Sequence, residues 1–179
     1  MDRVPHPVAP LLLALDTNDA LVYVGLGARG APLHTFAEHH QAQLIPETRV
    51  TPARVQLQEY LRGHRRTFEL SLRPIGTTFQ KAAWAALARI PYGETRSYQQ
   101  QARSLGNPAA SRAVGRANSL NHLPIVLPCH RVIGRSGSLT GFAGGLNLKR
   151  WLLDLETPQC HLWATAPTLR SSTSSARPV

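Results

Sequence analysis

Cysteine is scarce in this sequence: Cys129 and Cys160 are the only two in 179 residues. One disulfide could join them, but nothing else suggests a secreted, disulfide-stapled scaffold. No cysteine or histidine group has the spacing of a zinc site, and the adjacent His39 and His40 have no cysteine nearby. Neither a structural metal nor a cofactor is therefore expected. No apolar run is long enough to cross a bilayer. The stretch Leu11 to Leu15 is too short for a signal peptide, is broken off by Asp16 and follows a Pro-rich rather than a basic start. These absences point to a cytoplasmic protein with no membrane partner. Lysine is nearly missing as well, with Lys81 and Lys149 alone.

Arginine takes its place and gives a formal net charge of +10. Its planar fork suits phosphate and its flat face suits bases, and a basic surface speeds encounter with polyanions. Charge alone leaves a nucleic-acid partner and an ordinary soluble protein equally open. The hydrophobic share of 42% is enough for a real core, in one domain or two small ones sharing an interface.

Two apolar runs, Leu11 to Leu15 and Ala20 to Leu26, flank Asn18-Asp19 and predict a β-hairpin. Thr51-Pro52 reads as the cap and first position of a helix carrying Val55, Leu57, Tyr60 and Leu61 and closed by Gly63. Phe68, Leu70 and Leu72 alternate as a strand ending at Pro74. Residues 1–74 thus form a small α/β unit in which no catalytic constellation is visible. Beyond Ile75-Gly76, Thr77 or Thr78 can cap a helix whose face is Phe79, Ala82, Ala83, Ala86, Leu87 and Ile90, stopped by Pro91-Tyr92-Gly93. A short helix from Ser97 to Leu105, a turn at Gly106 and a second helix from Pro108 through Ala117 have the form of a helix-turn-helix. Many core helix pairs share that form. Pro124 to Leu127 is a short, strand-like apolar run into Cys129, and Leu148 to Leu155 reads as the last helix of a unit over 75–158. Residues 159–179, rich in Ser, Thr, Ala and Pro, are expected to be a disordered tail.

Only Cys129 sits in a setting that suggests chemistry. A sulfur attacks as the thiolate, favoured by nearby positive charge or a base. Pro128-Cys129-His130-Arg131 beside a glycine-rich segment is a poor recipe for inert packing. Cys160 has no such neighbours and reads as a bystander.

The segment from Leu123 to Glu156 resembles the active-site region of the O6-alkylguanine-DNA alkyltransferases. The resemblance is carried by Pro128-Cys129-His130-Arg131-Val132-Ile133-Gly134, Gly141-Phe142-Ala143-Gly144-Gly145-Leu146, Lys149-Arg150-Trp151-Leu152-Leu153 and Glu156. Upstream, Gly76-Thr77-Thr78-Phe79-Gln80, Trp84, Ile90-Pro91-Tyr92-Gly93, Ser97-Tyr98 and Gly106-Asn107-Pro108 follow in the same order. The pattern is similar to the stand-alone form, without a zinc-bearing regulatory half. It implies an α/β fold: a small ribonuclease-H-like sheet domain plus a mostly helical domain with a winged-helix-like helix-turn-helix.

The resemblance also implies roles. Cys129 would accept an alkyl group directly from O6-alkylguanine in duplex DNA, irreversibly and once per molecule; O4-alkylthymine is left open as a second substrate. His130 would take the thiol proton through a water, since neighbours on a strand-like segment point to opposite sides. Glu156 would orient His130, Asn121 would brace the turn, and Tyr98 would protonate the departing guanine. Arg112 would fill the place of the flipped nucleotide. Ala110, Ser111, Ala113 and Gly115 would let the same helix lie close in the minor groove. Pro124, Val132, Phe142 and Ala143 would line the pocket, with Phe142 standing where many relatives have tyrosine. The protein would act as a monomer. Rival readings are a non-catalytic alkylguanine binder, a helix-turn-helix transcription regulator and a cysteine hydrolase.

Overall fold

The first strands form because apolar residues crowd both sides of a turn that Asp16 closes. Asp16 accepts the backbone N–H groups of Asn18 and Ala20, both at 2.9 Å. The computed structural model describes residues 11–26 and 31–157; the expected tail at 159–179, with Cys160, lies outside the described residues. β1 (Leu11–Leu15) pairs antiparallel with β2 (Leu21–Leu26) on one edge and with β3 (Gln43–Ile45) on the other. The sheet order is β2-β1-β3. Helix α1 (Ala31–His39) leads into β3, and α2 (Pro52–Leu61) follows it.

Thr51 caps α2 and Pro52 occupies its first turn. The buried face of α2 is Ala53, Arg54, Leu57, Tyr60 and Leu61, whereas Val55, expected inside, is 39% exposed. Arg54 takes the inward place because four backbone carbonyls receive its guanidinium: those of Leu11, Ile45, Pro46 and Arg49. A buried cation so satisfied ties α2 to the sheet.

The strand expected over Phe68–Leu72 is not a regular one. The outer edge of β2 is shared between two segments. Leu21 exchanges hydrogen bonds with Ser71 and Arg73, while the Val24 N–H goes to the His122 carbonyl. Each segment gets too little edge for a ladder, although Phe68, Leu70 and Leu72 still pack on the core.

α3 (Thr78–Ala88) opens on a capping box between Thr77 and Gln80. Its buried face is Ala83, Trp84, Ala86 and Leu87; Phe79 and Ala82, expected inside, are exposed. Trp84 fixes this rotation by donating its indole N–H to the Ala117 carbonyl at 2.9 Å. α4 (Tyr98–Ser104), also with a capping box, and α5 (Ser111–Ser119) form the helix-turn-helix around Gly106 and a 3-10 turn at Pro108–Ala110. Gln101 and Asn118 hydrogen-bond amide to amide between the two helices, and Gln101 also reaches the Ala83 carbonyl of α3. The three helices are thereby locked together.

A two-residue parallel pair, β4 (Arg96–Ser97) with β5 (Val132–Ile133), sets the start of α4 beside the Cys129 segment. α6 (Leu146–Glu156) is the last described helix. One continuous apolar core runs from Leu13, Leu57 and Tyr60 to Leu87, Leu123 and Leu152, across the boundary expected near residue 75. Among the described residues no helix is long and apolar enough to cross a membrane.

Candidate active site

Residues 124–127, read from sequence as strand-like, form a turn instead, and Cys129 starts a 3-10 turn spanning Cys129–Arg131. Asn121 supplies what a sheet ladder would have supplied. Its Oδ1 accepts the Leu123 N–H at 2.9 Å, and its Nδ2 donates to the Leu127 carbonyl at 2.7 Å and to Cys129 Sγ at 3.3 Å. Within this turn Ile125 has φ +75°, a costly conformation for a β-branched residue and one that clusters at functional sites. Cys129 and His130, lying in a 3-10 turn, therefore do not alternate as strand neighbours do.

Cys129 is buried, and that burial pushes its thiol above the usual range; the Asn121 contact and the nearby Lys149 charge pull the other way. A thiol held so is protonated at rest and needs a base when it reacts. Lys149 is fully buried, with Nζ donating to the carbonyls of Val132 at 2.6 Å and Thr140 at 2.8 Å.

Next to the thiol lies a polar cluster centred on Glu156. His130 Nε2 is 2.9 Å from Glu156 Oε1. Arg131 forks onto the carboxylate through Nε and Nη2, both at 2.8 Å, and gives Nη1 to the Ile90 carbonyl at 2.6 Å. The Gly93 N–H reaches Oε2 at 3.2 Å, and Tyr60 donates its hydroxyl to Oε1. Gly93 makes its contact with φ +80°, and an added Cβ would sit 3.0 Å from the Glu156 carbonyl. Burial alone would raise the Glu156 carboxyl, but the hydrogen bonds from His130, Arg131 and Tyr60 outweigh it and hold it at about 2. Burial lowers His130, against the pull of Glu156, so the imidazole is neutral. Facing a carboxylate, Nε2 carries the proton and Nδ1 is the basic nitrogen. Nδ1 is buried with no hydrogen-bond partner among the described residues.

Helix α6 organises this charge pattern. Lys149 and Glu156 lie seven residues apart, hence on one face, two turns separated. The first faces Cys129; the second faces His130 and Arg131.

Tyr98 donates its hydroxyl to the Thr140 carbonyl at 3.2 Å, and its ring lies 5.8 Å from Lys149 Nζ. The same ring lies 3.7 Å from where a Cβ of Gly115 would stand, so α5 packs close to it. Pro124 and Val132 are buried, Phe142 is half-buried with its ring centroid 6.4 Å from that of His130, and Ala143 is exposed. On α5 Arg112 and Ala113 are exposed and Ser111 and Gly115 half-exposed, with half-exposed Ala110 just before; Val114, Ala117 and Asn118 face inward. The structure thus gathers Cys129, His130, Glu156 and Asn121 in one place and sets Arg112 apart on an outer helix face.

Three residues in this arrangement escape a sequence reading. Tyr60 reads as an ordinary core position of an amphipathic helix. Lys149 and Arg131 stand within the motifs quoted above, but nothing in the sequence marks Lys149 as a buried donor to the Val132 carbonyl or Arg131 as a clamp on Glu156. Lys149 carried one further signal, as one of two lysines in an arginine-rich chain. Among the described residues no group of three or more His, Cys, Asp or Glu could hold a metal ion.

A helix-turn-helix packed against a turn that presents one buried thiol beside a histidine–carboxylate pair suits a DNA-binding protein with a reactive cysteine. Residues 78–158 match the family model described as 6-O-methylguanine DNA methyltransferase, DNA binding domain. A methylated-DNA–protein-cysteine methyltransferase of Methanosarcina acetivorans is 44% identical over 84% of this chain and 93% of its own. The constitutive methylated-DNA–protein-cysteine methyltransferase of Bacillus subtilis is 55% identical over 66% of this chain and 70% of its own. The crystal structure of Mycobacterium tuberculosis OGT in complex with DNA superposes with a TM-score of 0.68 at 40% identity, covering 84% of this chain and 88% of that one. The chain belongs to the methylated-DNA–protein-cysteine methyltransferase family.

Proposed function

We propose that this protein repairs DNA by moving the alkyl group of O6-alkylguanine onto its own Cys129, in one irreversible turnover per molecule. The observation that carries the reading is the buried Cys129 turn, braced on Sγ by Asn121 and set beside the His130–Glu156 pair. A new S–C bond forms as the O6–C bond of the damaged base breaks. The thiol proton passes through a water to His130 Nδ1, the unpartnered face of a ring whose Nε2–H is held by Glu156. Tyr98 gives its phenol proton to a ring nitrogen of the leaving guanine, and the two protons exchange back through solvent. The net change is thiol plus alkylguanine to thioether plus guanine, with no cofactor or metal in the balance. A thioether is not cleaved under these conditions, which makes the protein stoichiometric.

The oxygen to be attacked faces the pairing partner inside a duplex, so the nucleotide must leave the stack. Exposed Arg112 at the start of α5 would take its place, and Ala110, Ser111, Ala113 and Gly115 would allow that helix into the minor groove. The pocket for the flipped base would be lined by Pro124, Val132, Phe142 and Ala143. In this reading the protein acts as a monomer and residues 75–158 are the working domain, winged-helix-like in its helix-turn-helix. The antiparallel sheet of residues 11–45 belongs to a ribonuclease-H-like unit.

The test is mass spectrometry after incubation with a duplex holding a single O6-methylguanine. The expected result is one methyl group, on the Cys129 peptide, at no more than one per protein. An unmodified protein bound tightly to that duplex would leave the non-catalytic binder as the correct reading; multiple turnover would indicate a hydrolase.

A further inference from the structure

Among the described residues of the N-terminal segment, Tyr60 is the one that hydrogen-bonds to Glu156. It is fully buried in α2, with its ring 5.4 Å from Phe68 and 6.1 Å from Tyr92 between centroids. Its hydroxyl donates to Glu156 Oε1 and lies 3.3 Å from His130 Nε2. The oxygen it touches is thus the same one that receives His130 Nε2–H and Arg131 Nη2–H.

We infer that Tyr60 is a positioning residue of the alkyl transfer, whose hydroxyl weakens the hold of Glu156 on His130 and so keeps His130 a neutral base. The inference rests on the transfer reading above. Each donor on a carboxylate oxygen disperses its charge, so a third donor on Oε1 makes that oxygen a poorer partner for the Nε2–H of an imidazolium. Burial and the neighbouring carboxylate push the phenol well above its ordinary range, so it remains a donor throughout the working pH range. The other charged or titratable groups that face His130 are Glu156 and Lys149 on α6 and Cys129 and Arg131 on its own turn. None of those arrives from the first 74 residues. The N-terminal unit, which shows no catalytic constellation in sequence, would through Tyr60 tune the base.

Removing the hydroxyl leaves more negative charge on Oε1, which favours the imidazolium and raises the pKa of His130. Transfer needs the neutral ring, so the acid limb of the rate–pH profile moves to higher pH.

The experiment measures single-turnover methyl transfer from an O6-methylguanine duplex against pH, in the full chain, for wild type and Tyr60→Phe. We expect the acid limb to move up by about half to one pH unit, hence a roughly three- to tenfold slower reaction on that limb. Replacing Tyr60 with 3-fluorotyrosine keeps the packing and makes a stronger donor, so it should move the limb the other way. That second variant decides the matter should Tyr60→Phe fold poorly. Superimposable profiles for the fluorinated protein and wild type, each with one methyl on Cys129, would overturn the inference and leave the transfer reading standing. No methyl on Cys129 in wild type would instead overturn the reading beneath it.

Discussion

The turn that carries Cys129 and the helix that carries Arg112 lie close in sequence but are built in opposite ways. Around the thiol each buried charge is answered. Lys149 has two carbonyls, Arg131 has Glu156 and the Ile90 carbonyl, and Glu156 has Tyr60, His130, Arg131 and Gly93. On the outer face of α5, the side chains of Arg112, Ala113 and Arg116 are exposed and make no hydrogen bond or ion pair with the described residues. A proton relay must be in place before the substrate arrives, because reorganising dipoles during reaction is costly. A phosphate- or base-facing arginine needs no such preparation, since water satisfies it until DNA does. The first region is committed within the fold; in the proposed function the second completes itself on DNA.

The largest break in that contrast should come from Glu156→Gln. The amide keeps the volume but removes the charge that Arg131 and His130 face in a dry interior. Leaving a buried cation without its carboxylate costs about 3–5 kcal/mol, read as a shift of the denaturant midpoint. Losing an oriented base should slow transfer by about 10²–10⁴-fold. The same cluster sets the response to acid. His130, lowered by burial, contributes stability that is complete above its unfolded value and declines as pH falls below about 6.5. Glu156, held at about 2, adds stability present above its unfolded pKa near 4.5 and lost as pH falls toward 2. Acid unfolding of wild type should therefore run in two overlapping stages, and Glu156→Gln should lack the lower one. An unchanged acid profile in the variant would show that the carboxylate is not the keystone of the cluster.

The two regions also differ in how far the sequence discloses them. Cys129, His130, Glu156 and Arg112 sit in or near a specific motif, so their candidacy could be read at once. The hairpin, the Thr51-Pro52 cap and the paired helices followed from turn residues and caps, which are local chemistry. The roles of Tyr60 and Lys149 could not be read, because they depend on which carbonyls and carboxylates folding brings to these side chains. Periodicity assigns Tyr60 to a core and stops there. Residues 124–127 misled for a related reason: an apolar run suits a strand, but the Asn121 side chain supplies the hydrogen bonds and allows a turn with Ile125 at positive φ. The segment from Phe68 to Leu72 has the right alternation but too little free edge on β2.

A smaller effect, on the other side of the contrast, is expected from Arg112→Ala. The side chain is exposed and contributes nothing to the folded state that solvent cannot replace, so stability should stay within about 0.5 kcal/mol of wild type. Transfer from duplex DNA should fall roughly 10- to 100-fold, in keeping with a few kcal/mol for holding a nucleotide out of the stack. Reaction with free O6-alkylguanine base should be unaffected. Equal losses on both substrates would place Arg112 with the buried machinery and dissolve the division.

Phe142 sits on the seam, and Phe142→Tyr should have the smallest effect of all. Its ring is half-buried, packed on the core and edge-on to His130. A hydroxyl added at the ring's para position gives the pocket one more neutral donor. A hydrogen bond of that kind nets about 1 kcal/mol at best, so transfer from duplex should quicken by about two- to fivefold, with stability unchanged. That outcome would place the outer edge of Phe142 with the solvent-facing surface that the substrate completes. A loss of more than about 1 kcal/mol in stability would instead mean that a buried, unanswered hydroxyl had been added. The ring would then belong wholly to the committed cluster, and the boundary between the two regions would lie farther out, in the loop beyond Ala143.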